Sequence, residues 1–270
     1  MVTLLCTVHG CRRALLFEGR RVTCRRGHSF DVARRGYLNL LQPQDRRARR
    51  PGDTAGVLAA RRRFLGSPAA APLIGAIVDA SRVGERDAVL EVGCGEGQHL
   101  ASIADRFGCE AHGVDISVAA IDAAARRRPR LRWLVANADR FLPYADASFR
   151  LVLSITSRMN APEFRRVLHR NATLLVAIPA ADDLVELRRA VLGEGVLRDR
   201  VERTVATFVP HFAFERHARV RHVVRLDAAA VADVMTGAYR ALRASERARL
   251  ASIADVDVTL SRDVLLFRPA

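Results

Sequence analysis

The chain has 270 residues, 50% of them apolar and 27% charged, enough for one large domain or a main domain with a small appendage. All 44 basic residues are Arg, set against 29 acids, and residues 1–66 alone hold 15 Arg and 4 acids, a local charge of +11. The apolar stretches around Ala69–Val78 and Ala172–Ala181 are short and broken by Pro or Gly, and Met1–Cys6 lacks the pattern of a signal peptide, so a membrane or secreted protein is not expected.

An all-Arg, Ala-rich composition is what a GC-rich coding sequence produces. The concentration of charge in the first quarter is more specific and suggests contact with a polyanion, although a solvated basic face would look the same. Five cysteines, an odd number, argue against a disulfide framework and for a cytoplasmic protein.

In chain order, residues 1–40 read as a small module with a hairpin, Ala14–Phe17 and Arg21–Thr23 around Glu18-Gly19-Arg20. Residues 41–84 read as a basic linker, Gln42–Gly52, followed by helices at Thr54–Leu65 and Pro72–Ser81. From residue 85 strands and helices alternate. Strands are expected at Ala88–Val92, Glu110–Asp115, Leu131–Ala136, Arg150–Ile155 and Ala172–Ile178. Helices are expected at Gln98–Phe107, Val118–Arg127, Pro162–Leu168 and Asp183–Leu192. Arg219–Leu226, Ala228–Met235 and Val256–Phe267 read strand, helix, strand. The whole predicts an α/β fold with a parallel sheet covered on both faces.

Two constellations carry chemistry. The first is Glu91-Val92-Gly93-Cys94-Gly95-Glu96-Gly97, between a strand and a helix, where glycines let the backbone turn and approach a ligand. Gln98 occupies the place of the last glycine in the dinucleotide fingerprint, so that fingerprint fails. The segment instead resembles the loop of S-adenosylmethionine (SAM) methyltransferases. Asp115, followed by Ile116 at the end of the next strand, can accept from both ribose hydroxyls. Asn137 and Ala138, with Asp139, fit beside the adenine. Cys94 reads as a small filler.

The second constellation is Cys6-x4-Cys11, twelve residues, then Cys24-x3-His28. Two knuckles separated by a hairpin can set four ligands tetrahedrally around zinc, and a module this small benefits from a metal staple. His9 lies inside the first knuckle and could replace Cys6 or Cys11.

These features together resemble the bacterial 23S rRNA guanine-N1 methyltransferases, which include tylosin-resistance enzymes. The resemblance runs from about Cys6 to about Leu192 and is most specific at Cys24–Asp31, Arg35–Leu41, Arg50–Thr54 and Ala60–Leu65. It implies a Rossmann-like class I SAM methyltransferase domain at 85–270, an N-terminal zinc module, rRNA as partner and a homodimer. The family's shorter first knuckle is lengthened here, and the kept twelve-residue gap favours Cys11 over His9. Ala70 and Asp183 stand where an aromatic and a His contact SAM in some members. Thr156-Ser157 and Arg170-Asn171-Ala172 replace the usual Ala-Pro and Pro-Gly-Gly.

The departures ring the acceptor pocket, so a small-molecule methyltransferase is the second reading and a zinc-containing RNA-binding protein with little catalysis the third. Guanine N1 carries a proton at neutral pH, and Asp183 and Asp139 are the candidates for removing it. Loss of Cys24 is expected to unfold the module and spare the rest of the chain.

Overall fold

The computed structural model describes residues 2–45, 52–193, 195–239 and 242–270. Arg46, Arg47, Arg49 and Arg50 of the expected linker lie outside the described residues. Three strands open the chain, β1 (Leu15–Glu18), β2 (Arg21–Cys24) and β3 (Ser29–Asp31), forming an antiparallel sheet in that order. A two-residue strand, β4 (Leu38–Asn39), follows. Helix α1 (Ala55–Leu65) begins where the Thr54 side chain accepts the Val57 N–H, and a 3-10 turn at Pro68–Ala70 leads into α2 (Ala71–Ala80).

The expected alternation comes next: β5 (Ala88–Val92), α3 (Gln98–Phe107), β6 (Glu110–Asp115), α4 (Val118–Arg127), β7 (Arg132–Val135), β8 (Phe149–Ile155), α5 (Ala161–Val167) and β9 (Leu168–Pro179). Left-handed glycines, Gly97 and Gly108, bracket α3, while Ser117 and Asn160 side chains cap α4 and α5. The expected helix after Asp183 is one turn, α6 (Val185–Leu187), running into a π-helical turn at Arg188–Leu192. The chain ends with α7 (Val201–Phe208), β10 (Phe212–Asp227), α8 (Ala228–Ala238), α9 (Ala244–Ala251) and β11 (Asp255–Pro269).

Among the described residues the main sheet has eight strands in the order β10-β11-β9-β8-β5-β6-β7-β4. β5 to β9 are the five expected strands, β4, from the first forty residues, is an addition to them, and all six, from β9 to β4, are parallel. The last two are not: β11 runs antiparallel to β9, and β10 antiparallel to β11. Strand order reverses between β5 and β8, so the crevice at their carboxyl ends is where a ligand binds in such a sheet.

The first forty residues do not stand apart from this sheet. β4 pairs with β7, Leu38 opposite Leu134, and Leu4 bridges to Tyr144. Leu4, Cys6, Leu15, Val22 and Leu40 belong to the same buried cluster as Leu90, Val114 and Phe149. The reason is apolar: a module this small has too little interior of its own and borrows the sheet's. No helix among the described residues is long and apolar enough to cross a membrane.

Candidate cofactor site and metal centre

The turn after β5 is fixed by its glycines. Gly93, Gly95 and Gly97 have φ of +70°, +55° and +74°, in the left-handed region. A side chain on Gly93 would run into Ser157, and one on Gly97 into the Trp133 ring, so these backbones approach their neighbours more closely than Ala allows. The Gly93 N–H donates to the Val114 carbonyl at 2.8 Å and the Gly95 N–H to Asp115 Oδ2 at 2.9 Å. The loop is thereby tied to the end of β6.

Glu91 is buried beneath it. Its Oε2 accepts the Leu100 N–H at 3.1 Å, and its Oε1 lies 3.3 Å from His99 Nδ1. Glu96 pairs with Arg127, and Arg62 of α1 approaches it to 4.0 Å. Cys94 is buried and its thiol is pushed well above the ordinary range by burial and by the charges of Asp115 and Glu91. Such a thiol is inert, which suits a filler.

Asp115 is half-buried, its oxygens held by the Gly95 and Ser117 N–H groups. Burial, with the charge of Asp53 adding, pushes its carboxyl up despite those two bonds. Gly52 packs directly on Ser117, so the chain entering α1 covers the end of β6.

A cavity of about 380 Å³ opens beside this loop. Glu91, Gly93, Cys94, Gly95 and Glu96 are on its wall, as are Asp183 and Ala70. Gly97, Asp115, Ile116, Asn137, Ala138 and Asp139 are not part of that wall. Asn137 Oδ1 accepts the Asp139 N–H, and the Ala138 carbonyl accepts from Asn160. Of the two base candidates, Asp139 faces Arg158 at 3.6 Å. Asp183 reaches the cavity, but its carboxylate pairs with Arg262 and accepts the Ser261 N–H at 2.9 Å. Burial pushes its carboxyl up, against the pull of Arg262.

α1 roofs the cavity. Arg61 donates to the Gly237 carbonyl at 3.0 Å and pairs with Asp53, while Arg63 pairs with Asp233 of α8. The sequence reading missed His99, Arg61 and His222. His99 could have been found one residue into the helix after the glycines, and His222 from its phase with Val220, Val224 and Leu226 along an alternating strand.

At the other site, Cys6, Cys11, Cys24 and His28 present four ligand atoms within 4.8 Å of one another. Left-handed glycines build both knuckles, Gly10 at φ +69° before Cys11 and Gly27 at +80° before His28. The Cys11 and Cys24 sulfurs are 3.7 Å apart, and His28 Nδ1 lies 3.4 Å from Cys6 Sγ and 3.5 Å from Cys24 Sγ. Tetrahedral zinc with ordinary bonds needs sulfur pairs at about 3.8 Å and sulfur–nitrogen pairs at about 3.6 Å. The residues fit the ion. His9 is outside the cluster and contacts Arg140 at 2.8 Å.

A methyltransferase-domain family model matches residues 89–177, and a zinc-ribbon model described as RlmA, N-terminal, matches residues 6–49. A 23S rRNA (guanine(748)-N(1))-methyltransferase of Streptomyces fradiae is 38% identical over 224 residues, 80% of this chain and 78% of that protein. A Micromonospora griseorubida protein assigned as a 23S rRNA (guanine-N(1)-)-methyltransferase is 33% identical over 93% of this chain and 91% of its own length. The chain belongs to the family of 23S rRNA guanine-N1 methyltransferases. It is a SAM-dependent methyltransferase with a zinc ribbon. Solved structures share the fold: the Bacillus YcgJ protein has a TM-score of 0.53 at 14% identity, covering 73% of this chain and 96% of its own. Geranyl diphosphate C-methyltransferase from Streptomyces coelicolor, solved with S-adenosyl-L-homocysteine, has 0.51 at 14% identity, covering 78% and 87%.

Proposed function

We propose that this chain methylates N1 of a guanine in 23S rRNA, with Cys6, Cys11, Cys24 and His28 holding zinc and the 91–97 loop holding SAM against Asp115. The observation that carries the reading is the joining of a four-ligand knuckle pair to the β7–β4 edge of a methyltransferase sheet. Bound SAM supplies a methyl group on a leaving sulfonium. The protein has to orient the acceptor, exclude water and accept a proton. Gly93 and Gly95 bring backbone close to the cofactor's amino-acid end, Glu91 fixes the head of α3, and the α1 roof shields the reacting atoms.

The basic N-terminal quarter supplies phosphate contacts. Arg suits this because its planar fork pairs with phosphate and stacks on bases. Neutralising about five phosphates predicts a log–log salt slope of roughly −3.5 to −4.5. Changing Arg46, Arg47, Arg49 and Arg50 together to Gln should flatten that slope and slow methylation of RNA, leaving SAM affinity unchanged.

The deciding experiment is mass spectrometry of 23S rRNA from cells with and without the protein, with tritium uptake from labelled SAM in vitro. A new N1-methylguanosine supports the reading. Label entering a small molecule and no rRNA favours the second reading, for which the altered Thr156–Asn160 segment and Asp183 speak. Growth in tylosin reads whether the modification protects the ribosome.

A further inference from the structure

Beyond β9 the wall of the cavity is built from irregular backbone. Leu184, on that wall, is left-handed at φ +55°, a conformation that residues other than Gly rarely adopt. The single turn of α6 gives way to the π-helical turn at Arg188–Leu192, and Gly193 is left-handed at φ +72°. Strained and π-helical backbone gathers at functional sites. Residues 195–200 follow and lie along the rim. Arg188, on the wall, donates through Nη2 to the Ala181 carbonyl at 2.8 Å and through Nη1 to the Val196 carbonyl at 2.9 Å. Arg200 is on the wall and yet exposed, which puts it at the mouth, and its Nη1 reaches the Pro179 carbonyl at 3.4 Å. Asp199 is engaged at the start of α7, where its Oδ1 accepts the Val201 N–H at 2.8 Å.

Between these anchors Val196 and Leu197 are 59% and 61% exposed. A single exposed apolar side chain is ordinary, and two in succession beside a cavity are not. Among the described residues the other consecutive pair of large exposed apolar side chains is Leu16–Phe17, in the zinc module. The Val196 carbonyl is pinned to the cavity wall while its side chain and that of Leu197 stand in solvent. Residues 188–203 hold five Arg and three acids, so the surroundings favour a polyanion. A guanine stacked in RNA cannot offer N1 to a cavity. It has to swing out, and the gap it leaves favours its return. Proteins that open a base step put apolar side chains such as Leu into it.

We propose that Val196 and Leu197 form a wedge that enters the gap left by the target guanine and keeps the base turned into the cavity, while the Arg200 guanidinium pairs with a phosphate beside it; the proposal rests on the guanine-N1 reading above. Arg188 ties the wedge to the wall of the cavity that receives the base, so the two keep a fixed spacing. The apolar pair leaves water as it enters the stack, and the planar fork of Arg200 fits the phosphate at the mouth.

The test uses the full zinc-loaded chain and a hairpin of 23S rRNA containing the guanine that the wild type methylates. In one copy 2-aminopurine, which brightens when unstacked, replaces that guanine. With S-adenosyl-L-homocysteine bound, the wild type should raise its fluorescence, and the double variant Val196→Ser, Leu197→Ser should lose most of that rise. On the native hairpin with labelled SAM the double variant should be slower by about tenfold or more. On a hairpin whose nucleotide next to the guanine is abasic there is less stack to open, and the deficit should shrink to about twofold. Leu197→Met, still apolar, should keep most of the rate. Both side chains are exposed, so the melting temperature and SAM affinity of the double variant should match the wild type. Arg200→Gln should lower the log–log salt slope of RNA binding by roughly 0.7–0.9, and an unchanged slope overturns the phosphate contact. A double variant with the full rate and the full fluorescence rise, or with the same deficit on both hairpins, overturns the wedge. So does one that methylates RNA as before and changes only the oligomeric state, which would make the pair an interface between copies of this chain. If the wild type places no methyl on 23S rRNA, the guanine reading falls and the wedge with it. An active wild type beside an equally active double variant removes the wedge alone.

Discussion

Asp115 has a structural task, and the proposed function gives it a binding one. Its oxygens already hold the Gly95 and Ser117 N–H groups, yet a carboxylate has lone pairs left for a ribose. Each hydrogen bond to a charged acceptor is worth about 1.5–3 kcal/mol. Asp115→Ala should therefore weaken SAM binding at least tenfold by calorimetry, and unchanged affinity would refute the assignment. The same residue predicts a pH dependence. Burial raises its carboxyl above the ordinary range, so the proton returns earlier as pH falls. SAM affinity should decline on acidification from above the usual carboxylate range, whereas Asp115→Asn should not show that loss. A titration of affinity against pH in both proteins checks it.

Among the elements, the β5–α3 turn is the least tolerant of change. Gly97 is left-handed and its Cα faces the Trp133 ring, which is itself held by a bond from Nε1 to the Arg128 carbonyl at 2.9 Å. Gly97→Ala must displace that ring and strain the backbone together, so its melting temperature should fall by roughly 5 °C or more, at about 4 °C per kcal/mol or less for a chain this long. An Ala variant that melts with the wild type would show that Trp133 can move freely.

This turn, its flanking strand and helix, and α4 were legible because their apolar periods are long and their ends carry Gly or Ser. β4 was not, since two residues carry no period. α9 buries none of its side chains, so no apolar stripe announces it. The glycine loop could be read from spacing alone; for the metal ligands spacing left His9 beside Cys6 and Cys11, and the family resemblance was needed to favour Cys11. The acceptor side could not, because Asp183 meets Ser261 and Arg262 only when an antiparallel strand, β11, is added beyond β9.

For the whole molecule, the borrowed core changes what losing the metal should do. A self-contained module would unfold alone. Here Cys6, Cys11 and Cys24 lie in the cluster that includes Leu134, Tyr144 and Phe149, and the Leu5 N–H donates to the Pro143 carbonyl at 3.0 Å. Cys24→Ser, or removal of zinc by a chelator, should therefore lower the unfolding temperature of the whole chain rather than add a separate early transition. Calorimetric scans of zinc-loaded and chelated protein check this, and a distinct low-temperature step with an unmoved main peak would contradict it. Elemental analysis should return one zinc per chain.

β10 also matters for solubility. It is sixteen residues long and, among the described residues, outermost in the sheet, a position that offers backbone to another extended chain. Its two faces are used differently. Val220 and His222 look into the cavity, while Arg219, Arg221 and Arg225 lie on the opposite side and pair with Asp263, Asp182 and Asp257. Val223 interrupts that row at 56% exposure. Charged side chains along an outermost strand disfavour its pairing with a second strand, which would have to lay its own side chains beside them. Replacing them with Val would leave the cavity's floor intact and turn the strand into a seed for aggregation.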